Sequence, residues 1–333
     1  MSNTILKELL IEYSKQKMLV ERDAKLRKSE IYSKEPVLEE IDKKLHNFAI
    51  SSAKSMINNP SEDTLIDLQN KIQELKNQKK SILNKLNISE DYFEPKYRCS
   101  ICKDTGYITN SDYTTSMCSC LKQKIFDIEY NKSNISNLNI QTFENFSDLL
   151  YSSEIDEQKY HMKVSPRDNI NKIKKLCYNF IENFDNPNEK NLLFTGNTGL
   201  GKTFLSSCIA NELLKKQKNV LYQTAPIMLD TIIDYRFGKE NTDKTIYENI
   251  LNVDLLIIDD LGTECMNNMK FSELFNIINT RLLNTNHITK TIISTNLSLK
   301  NLYDNYDERI VSRIVGNYNI CYFFGDDIRF KKR

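Results

Sequence analysis

The sequence predicts an α/β fold, a parallel sheet with helices on both faces, preceded by a region that is helical throughout. Three observations carry this reading. The apolar runs "NLLFTG", "NVLYQTA", "VDLLIIDD", "TKTIISTN" and "YNICYFFG" recur after residue 166, with helical stretches between them. Continuous apolar strands alternating with helices belong to a parallel sheet buried on both sides. Residues 1–90 contain no glycine and space their apolar residues at helical intervals. Three of the chain's eight glycines fall within six residues at the end of the first apolar run, where a strand is expected to turn into a helix.

Length and composition set the outer limits. A chain of 333 residues is long for one domain and suggests two or three units. Hydrophobic residues make up 40% and charged ones 27%, as in a soluble globular protein. With Lys+Arg 46 against Asp+Glu 45 the net charge is +1, so whole-chain charge favours no partner class and any nucleic-acid surface has to be local. No apolar run approaches the roughly 18 residues of a membrane helix. The N-terminus "MSNTILKELLIEYSKQK" lacks the shape of a signal peptide. A cytoplasmic protein with no membrane partner is expected. In that compartment clustered cysteines hold metal more often than they form disulfides.

The helical region is expected over residues 1–95. Leu38, Ile41, Leu45, Phe48 and Ser52 follow 3-4-3-4 spacing, and Leu65, Leu68, Ile72, Leu75, Lys79, Ile82 and Leu86 form a second series. Each set falls on one helical stripe. "SKEP" at 33–36 ends one helix. "NPSE" at 59–62 starts another, with Asn59 as cap, Pro60 first and Glu62 closing the box. Two or three amphipathic helices packed together, or a short coiled coil, would result. The region is either a docking surface for a partner or a self-contained bundle. Its charges, 18 Lys/Arg and 16 Asp/Glu over residues 1–98, are those of a solvated outer face and need no DNA to explain them.

"YRCSICKDTGYITNSDYTTSMCSC" follows at residues 97–120. Cys99 and Cys102 form a C-x-x-C knuckle, and Cys118 and Cys120 a second close pair 15 residues on. Two such pairs complete a tetrahedral thiolate site. Zn²⁺ is preferred on abundance and geometry, and a four-thiolate iron–sulfur cluster, free structural cysteines or disulfides are the alternatives. The module is expected over 96–125, followed by a polar linker over 126–165 that contains "TFENF". A module this small is usually a rigid scaffold. It would present Lys103, Tyr107 and Tyr113 either to DNA or to a protein. Cys177, Cys208, Cys265 and Cys321 sit singly and read as core residues. His46, His161 and His287 are isolated and read as structural.

From 166 to 333 the chain carries the chemistry. Gly196-Asn197-Thr198-Gly199-Leu200-Gly201-Lys202-Thr203, ahead of Phe204, fits G-x-x-x-x-G-K-[ST] between a strand and a helix. Backbone N–H groups of such a loop turn inward around phosphate oxygens, and the helix that follows points its positive dipole end at the same anion. Lys202 would reach the β- and γ-phosphates, and the Thr203 hydroxyl would ligate Mg²⁺. "VDLLIIDDLG" is the acid-tipped strand such a loop requires. Asp259 would hold Mg²⁺ through water, and Asp260 would orient or activate the attacking water. "TIISTNLS" ends in Asn296, a polar residue able to place that water. In "DNYDERIVSRIVGNY", Arg309 and Arg313 lie four apart on one helical face and are either phosphate-bridging residues or surface arginines neutralised by Asp307 and Glu308.

In this order, "GNTGLGKT", "LLIIDDLG", "IISTNLSL" and "DERIVSRI" resemble the AAA+ ATPases, and the finer pattern resembles the DnaC/DnaI bacterial helicase loaders, a group that includes the IstB transposition helpers. The resemblance is strong over about 140–333. The cysteine module and "TFENF" are similar to loader-like members from Gram-positive bacteria. It implies that Gly196 to Phe204 form the Walker A loop on ATP, Asp259 and Asp260 Walker B, and Asn296 sensor 1. Arg309 would be a finger reaching the neighbouring subunit's site. Arg313 would support it or face the nucleotide, and Arg329, in a terminal G-x-x-x-R element, would stand in for sensor 2. The implied function is an ATP-dependent helicase loader that binds a hexameric replicative helicase through the helical region. The core would bind single-stranded DNA and self-associate. A transposition helper, or a nucleotide switch with little hydrolysis, is the alternative. The family's usual second acid is Glu, whereas Asp260 is one methylene shorter, and little chain follows the last strand. Weak ATPase activity without a partner, and no C-terminal helical lid, are therefore expected.

Overall fold

The computed structural model describes residues 3–57, 62–129, 140–238 and 245–331. The chain divides into two compact units, Lys7–Ser116 and Met117–Arg333 together with Met1–Leu6. None of the described helices is long and apolar enough to cross a membrane.

The first unit is built on three long helices, α1 (Asn3–Lys34), α2 (Pro36–Ile57) and α3 (Glu62–Lys85). Glu35 alone separates α1 from α2. Pro36 opens α2 because the first helical position needs no backbone donor. Ile31, Leu38 and Leu83 form the buried centre, with Tyr32, Ile82, Ile88, Tyr92 and Phe93 packed around them. The first sequence stripe faces this core: Leu38 and Ile41 are buried, Leu45 and Phe48 half-buried. The second is rotated by about one residue at its end. Leu83, outside the stripe, is 1% exposed, whereas Leu86, inside it, is 39% exposed. The chain reverses at Asn87 (φ 54°) and lays Ile88, Tyr92 and Phe93 against the Leu83 side of the helix. Asn59, Pro60 and Ser61 of the "NPSE" helix start lie outside the described residues, as do the side chains of Glu62, Ser52, Leu65 and Leu68.

A polar clasp joins the three helices. Asp42 on α2 accepts from Lys79 of α3 at 2.6 Å, pairs with Lys28 of α1 at 3.2 Å, and accepts from the Tyr32 hydroxyl. Burial alone would raise its carboxyl, and the hydrogen bonds from Lys79 and Tyr32 outweigh burial, so the group lies below the usual carboxylate range.

After a hairpin of β1 (Tyr107–Thr109) and β2 (Thr115–Met117) come α4 (Ser119–Glu129) and the one-turn α5 (Glu157–Tyr160). Next is α6 (Pro166–Glu182), whose N-cap Ser165 accepts from the Asp168 N–H, as the local sequence predicts. The strands β3 (Asn191–Gly196), β4 (Val220–Thr224), β5 (Leu255–Leu261), β6 (Lys290–Thr295) and β7 (Tyr318–Phe323) coincide with the five apolar runs. They form one parallel sheet in the order β4-β5-β6-β3-β7. Between them run α7 (Lys202–Lys215), α8 (Ala225–Arg236), α9 (Thr245–Asn252), α10 (Asn268–Leu282), α11 (Leu299–Asn305) and α12 (Glu308–Asn317).

Successive strand residues enter opposite cores. Leu192, Phe194, Leu255, Ile257 and Ile292 pack on one face, and Leu193, Leu256, Ile258 and Ile293 on the other. Two buried faces explain why the strands read as unbroken apolar runs. Phe143, Phe146 and Tyr151, from the stretch expected as a linker, are buried in the first of these cores. At the strand-start edge the buried Arg281 of α10 donates to the Ile250, Leu251 and Lys290 carbonyls and the Thr291 hydroxyl. It thereby caps the end of α9 and ties it to β6.

Asp42→Ala is expected to destabilise the three-helix unit by about 1–3 kcal/mol, because two lysines and a hydroxyl lose one shared acceptor. Hydrogen exchange of α1–α3 amides reads this directly. A carboxyl held low in the folded state contributes stability that is present above its ordinary value of 3.8 and lost as pH falls through the folded value. The difference between wild type and variant should therefore shrink below about pH 4.

Candidate functional site

The sheet order puts the site together. β3 carries the glycine-rich loop and β5 the acids, and β6 lies between them, so the three strand ends that the sequence singled out open on one cavity of about 410 Å³. Thr198, Gly199, Leu200, Gly201, Lys202, Thr203, Phe204, Asp260, Asn296 and Arg329 line it. So do Gln141, Thr263 and Ile328.

The loop is shaped by what has no side chain. Gly196, at φ +141°, receives the Phe323 carbonyl of β7 where a Cβ would stand, and Gly199, at φ +72°, leaves room for the Asp327 carboxylate. Lys202 is 5% exposed. Its ammonium donates to the Gly196 and Asn197 carbonyls at 2.6 and 2.7 Å and to Asn296 Oδ1 at 2.8 Å. Burial pushes it down to about 8, against the pull of Asp260 and Asp259.

Asp259, 4% exposed, accepts from Thr203 at 3.1 Å, from the Tyr222 hydroxyl at 2.9 Å, and from Ser294. Thr203 and Asp259 thus converge two hard oxygen ligands, the donor set a magnesium ion takes. Asp260 sits on a bulge where the register with β6 slips between Ile258 and Leu261. Its φ of 55° is a left-handed value that costs energy in a non-glycine residue. The slip turns Asp260 toward the cavity while its N–H donates to Ser294. Burial, then the Asp259 charge, push its carboxyl above the usual range.

Aromatic residues from the 140–151 segment brace the loop from behind. Phe146 packs on Phe204, with ring centroids 5.7 Å apart, and Tyr151 donates its hydroxyl to the Leu200 carbonyl at 2.9 Å. On the far side the Ile328 N–H donates to the Gly199 carbonyl at 3.0 Å, which lays the terminal segment and Arg329 along the loop.

Arg309 and Arg313 do not reach this cavity. Arg309 is bound by Asp307 at 2.9 Å and lies over the Phe275 ring, in a separate depression with Asn268 and Asn276. Arg313 covers the same ring and donates to Asn279 at 2.6 Å. Sequence reasoning missed Gln141, Tyr151, Tyr222, Thr263, Ser294 and Asp327. Of these only Ser294, one residue inside a strand end already singled out, carried a local signal.

The cysteine quartet assembles as the spacing predicts. The four sulfurs of Cys99, Cys102, Cys118 and Cys120 lie within 4.8 Å of one another. Tetrahedral bonds of about 2.3 Å would set sulfurs roughly 3.8 Å apart, so the quartet fits one metal ion. Consecutive left-handed residues Lys103 and Asp104 make the knuckle turn. Asp104 accepts from the Arg98 and Cys99 N–H groups, and the Gly106 N–H points at the Cys102 sulfur. Tyr113 is 90% exposed. Of the remaining cysteines, Cys177, Cys208 and Cys321 are buried as expected. Cys265 is exposed, because it follows the end of β5 in a surface turn, away from both cores.

Phosphate binding calls for the charged form of Lys202. Affinity for inorganic triphosphate should therefore hold steady below about pH 8 and fall above it, approaching tenfold per pH unit, as protein fluorescence titrations can measure. Lys202→Ala should weaken binding at every pH and abolish the step.

The profile of the IstB-like ATP binding proteins matches residues 131–333, more than half of the chain. The chain is similar to the replicative helicase loader DnaC of Escherichia coli K12, 27% identical over 151 residues, 45% of this chain and 60% of the relative. With the DnaC of Buchnera aphidicola subsp. Baizongia pistaciae it shares 29% over 160 residues, 47% and 62% of the two chains. The chain thus spans about three-fifths of the length of the curated relatives it matches. A crystal structure of the DnaC helicase loader superposes with a TM-score of 0.41 at 26% identity, over 54% of this chain and 100% of the other. The glycine-rich loop, Asp260 and Asn296 stand at one cavity, and the chain belongs to the family of IstB-like ATP binding proteins.

Proposed function

We propose that this protein is an ATP-dependent loader of the replicative DNA helicase. The likeness of this chain to DnaC loaders over 151 residues, beside a family match over 131–333 that contains the whole phosphate cavity, is the observation that carries this reading. Lys202 binds the β- and γ-phosphates, and Thr203 and Asp259 hold Mg²⁺, which neutralises developing charge when bound. Asp260, its carboxyl raised by burial and by Asp259, takes the proton of the attacking water. Asn296, already bonded to Lys202, orients that water. Arg309 faces away from its own cavity and acts on the nucleotide of a neighbouring copy, with Arg313 beside it on Phe275. Turnover by a lone subunit is weak on this reading, and assembly controls it.

The three-helix unit is the helicase-binding arm, and the ATP-binding core holds single-stranded DNA. The cysteine quartet holds Zn²⁺ as a structural ion, with no open position for chemistry.

The full-length chain is expected to co-purify with the replicative helicase of its host, and to do so differently with ATP and with ADP. Capture of a transposase and not of the helicase would give the protein the transposition-helper role instead. Metal analysis of the purified chain should find about one zinc per molecule. Cys102→Ser combined with Cys118→Ser should lose that zinc and unfold the module, seen as hydrogen exchange rising over residues 97–120.

A further inference from the structure

Arg329 reaches the nucleotide cavity in the company of an acid. Its guanidinium donates to both oxygens of Asp327, at 3.0, 3.1 and 2.5 Å, and its own N–H donates to Asp327 Oδ1 at 2.9 Å. The carboxylate occupies the space that a side chain at Gly199 would fill, directly against the phosphate loop. The main-chain bond from Ile328 to the Gly199 carbonyl fixes the segment without help from the Asp327 charge.

The charge count around the loop is adverse to an anion. Among the described residues at the loop, two cations, Lys202 and Arg329, face three carboxylates, Asp259, Asp260 and Asp327. Asp259 stands with Thr203 as a metal-ligand pair, and Asp260 faces the cavity beside Asn296. Asp327 has neither place. What it does is hold Arg329, which is exposed beside the loop. The same local geometry recurs at Asp307 and Arg309, where an Asp two residues ahead accepts from the arginine's N–H at 2.8 Å and from its guanidinium at 2.9 Å.

We propose that Asp327 sets the nucleotide affinity of this cavity: a nucleoside triphosphate has to take Arg329 from Asp327, and breaking that pair weakens binding. The proposal rests on nucleotide entering the cavity, as the family assignment states. Taking the guanidinium breaks the pair and leaves the Asp327 carboxylate uncompensated against the phosphate loop. Its repulsion grows with phosphate charge, so the cost is larger for a triphosphate than for a diphosphate. Asp327 is a positioning residue, acting through Arg329.

The test is calorimetric titration of the full-length chain with Mg-ATP and Mg-ADP. Asp327→Asn keeps an acceptor for the Arg329 N–H and removes the charge. It should bind ATP about five- to tenfold more tightly, the scale of deleting one like charge beside a solvated anion site, with a smaller gain for ADP and a steeper fall with salt. Asp327→Glu, which keeps the charge, should not tighten binding. With Arg329→Gln in place, Asp327→Asn should yield less than half of its gain. Unchanged or weaker ATP binding by Asp327→Asn at an unaltered melting temperature would overturn the proposal and leave the ATP-binding assignment intact. A wild-type chain that binds neither nucleotide would overturn both. If Asp327→Asn lowers the melting temperature and Asp327→Glu restores it without any change in the affinity ratio, Asp327 only pins the terminal segment.

Discussion

One buried carboxylate organises the ATP-binding unit. Asp259 lies near the end of the buried strand β5 and collects hydroxyls from Thr203 on α7, Tyr222 on β4 and Ser294 on β6. Each donor comes from a different element, so the carboxylate fixes the relative positions of two neighbouring strands and of the helix that leaves the phosphate loop. A charge this deep is tolerated only when its lone pairs are satisfied. That requirement explains why polar residues stand at these points in otherwise apolar elements. It also holds two oxygens of the kind magnesium takes, on Asp259 and Thr203, in fixed positions.

The next residue departs from regular strand geometry. Asp260 adopts a left-handed backbone and the β5–β6 register slips around it, which turns one carboxylate inward to the hydroxyl network and the next toward the cavity. Two adjacent acids thereby stand in different environments. Strain of this kind persists where the surroundings over-determine it. Here Ser294 bonds both acids, its hydroxyl to Asp259 and its oxygen to the Asp260 N–H. The opposite edge of the sheet is held by Arg281, whose guanidinium satisfies carbonyls that α9 and β6 would otherwise bury unpaired.

Much of this was legible in the sequence because it is local. The five strands announced themselves as apolar runs, since a strand buried on both faces has no polar side to interrupt it. The phosphate loop and the C-x-x-C knuckle were legible because their geometry lies within a few residues of chain. What escaped lay at long range. Tyr222 reads as one more strand aromatic until β4 and β5 are paired. Gln141 and Tyr151 sit in a polar stretch with no periodicity and gain their places by packing against a loop some 50 residues on. The helical stripe of α3 failed at Leu86 and Leu83 because the segment after Asn87 decides which side of the helix end is covered.

The sequence by itself determined the element order, the anion-binding loop, the paired acids and the thiolate quartet, all patterns whose physical cause spans one turn, one strand or one knuckle. Only the tertiary structure decided that β6 separates the loop strand from the acid strand, and that Asn296 therefore meets Lys202. It also decided that Arg329 enters the cavity beside Asp327 while Arg309 and Arg313 face elsewhere. An arginine's reach is long and its partner can come from anywhere in the chain, so spacing alone does not say which phosphate, or which acid, it will hold.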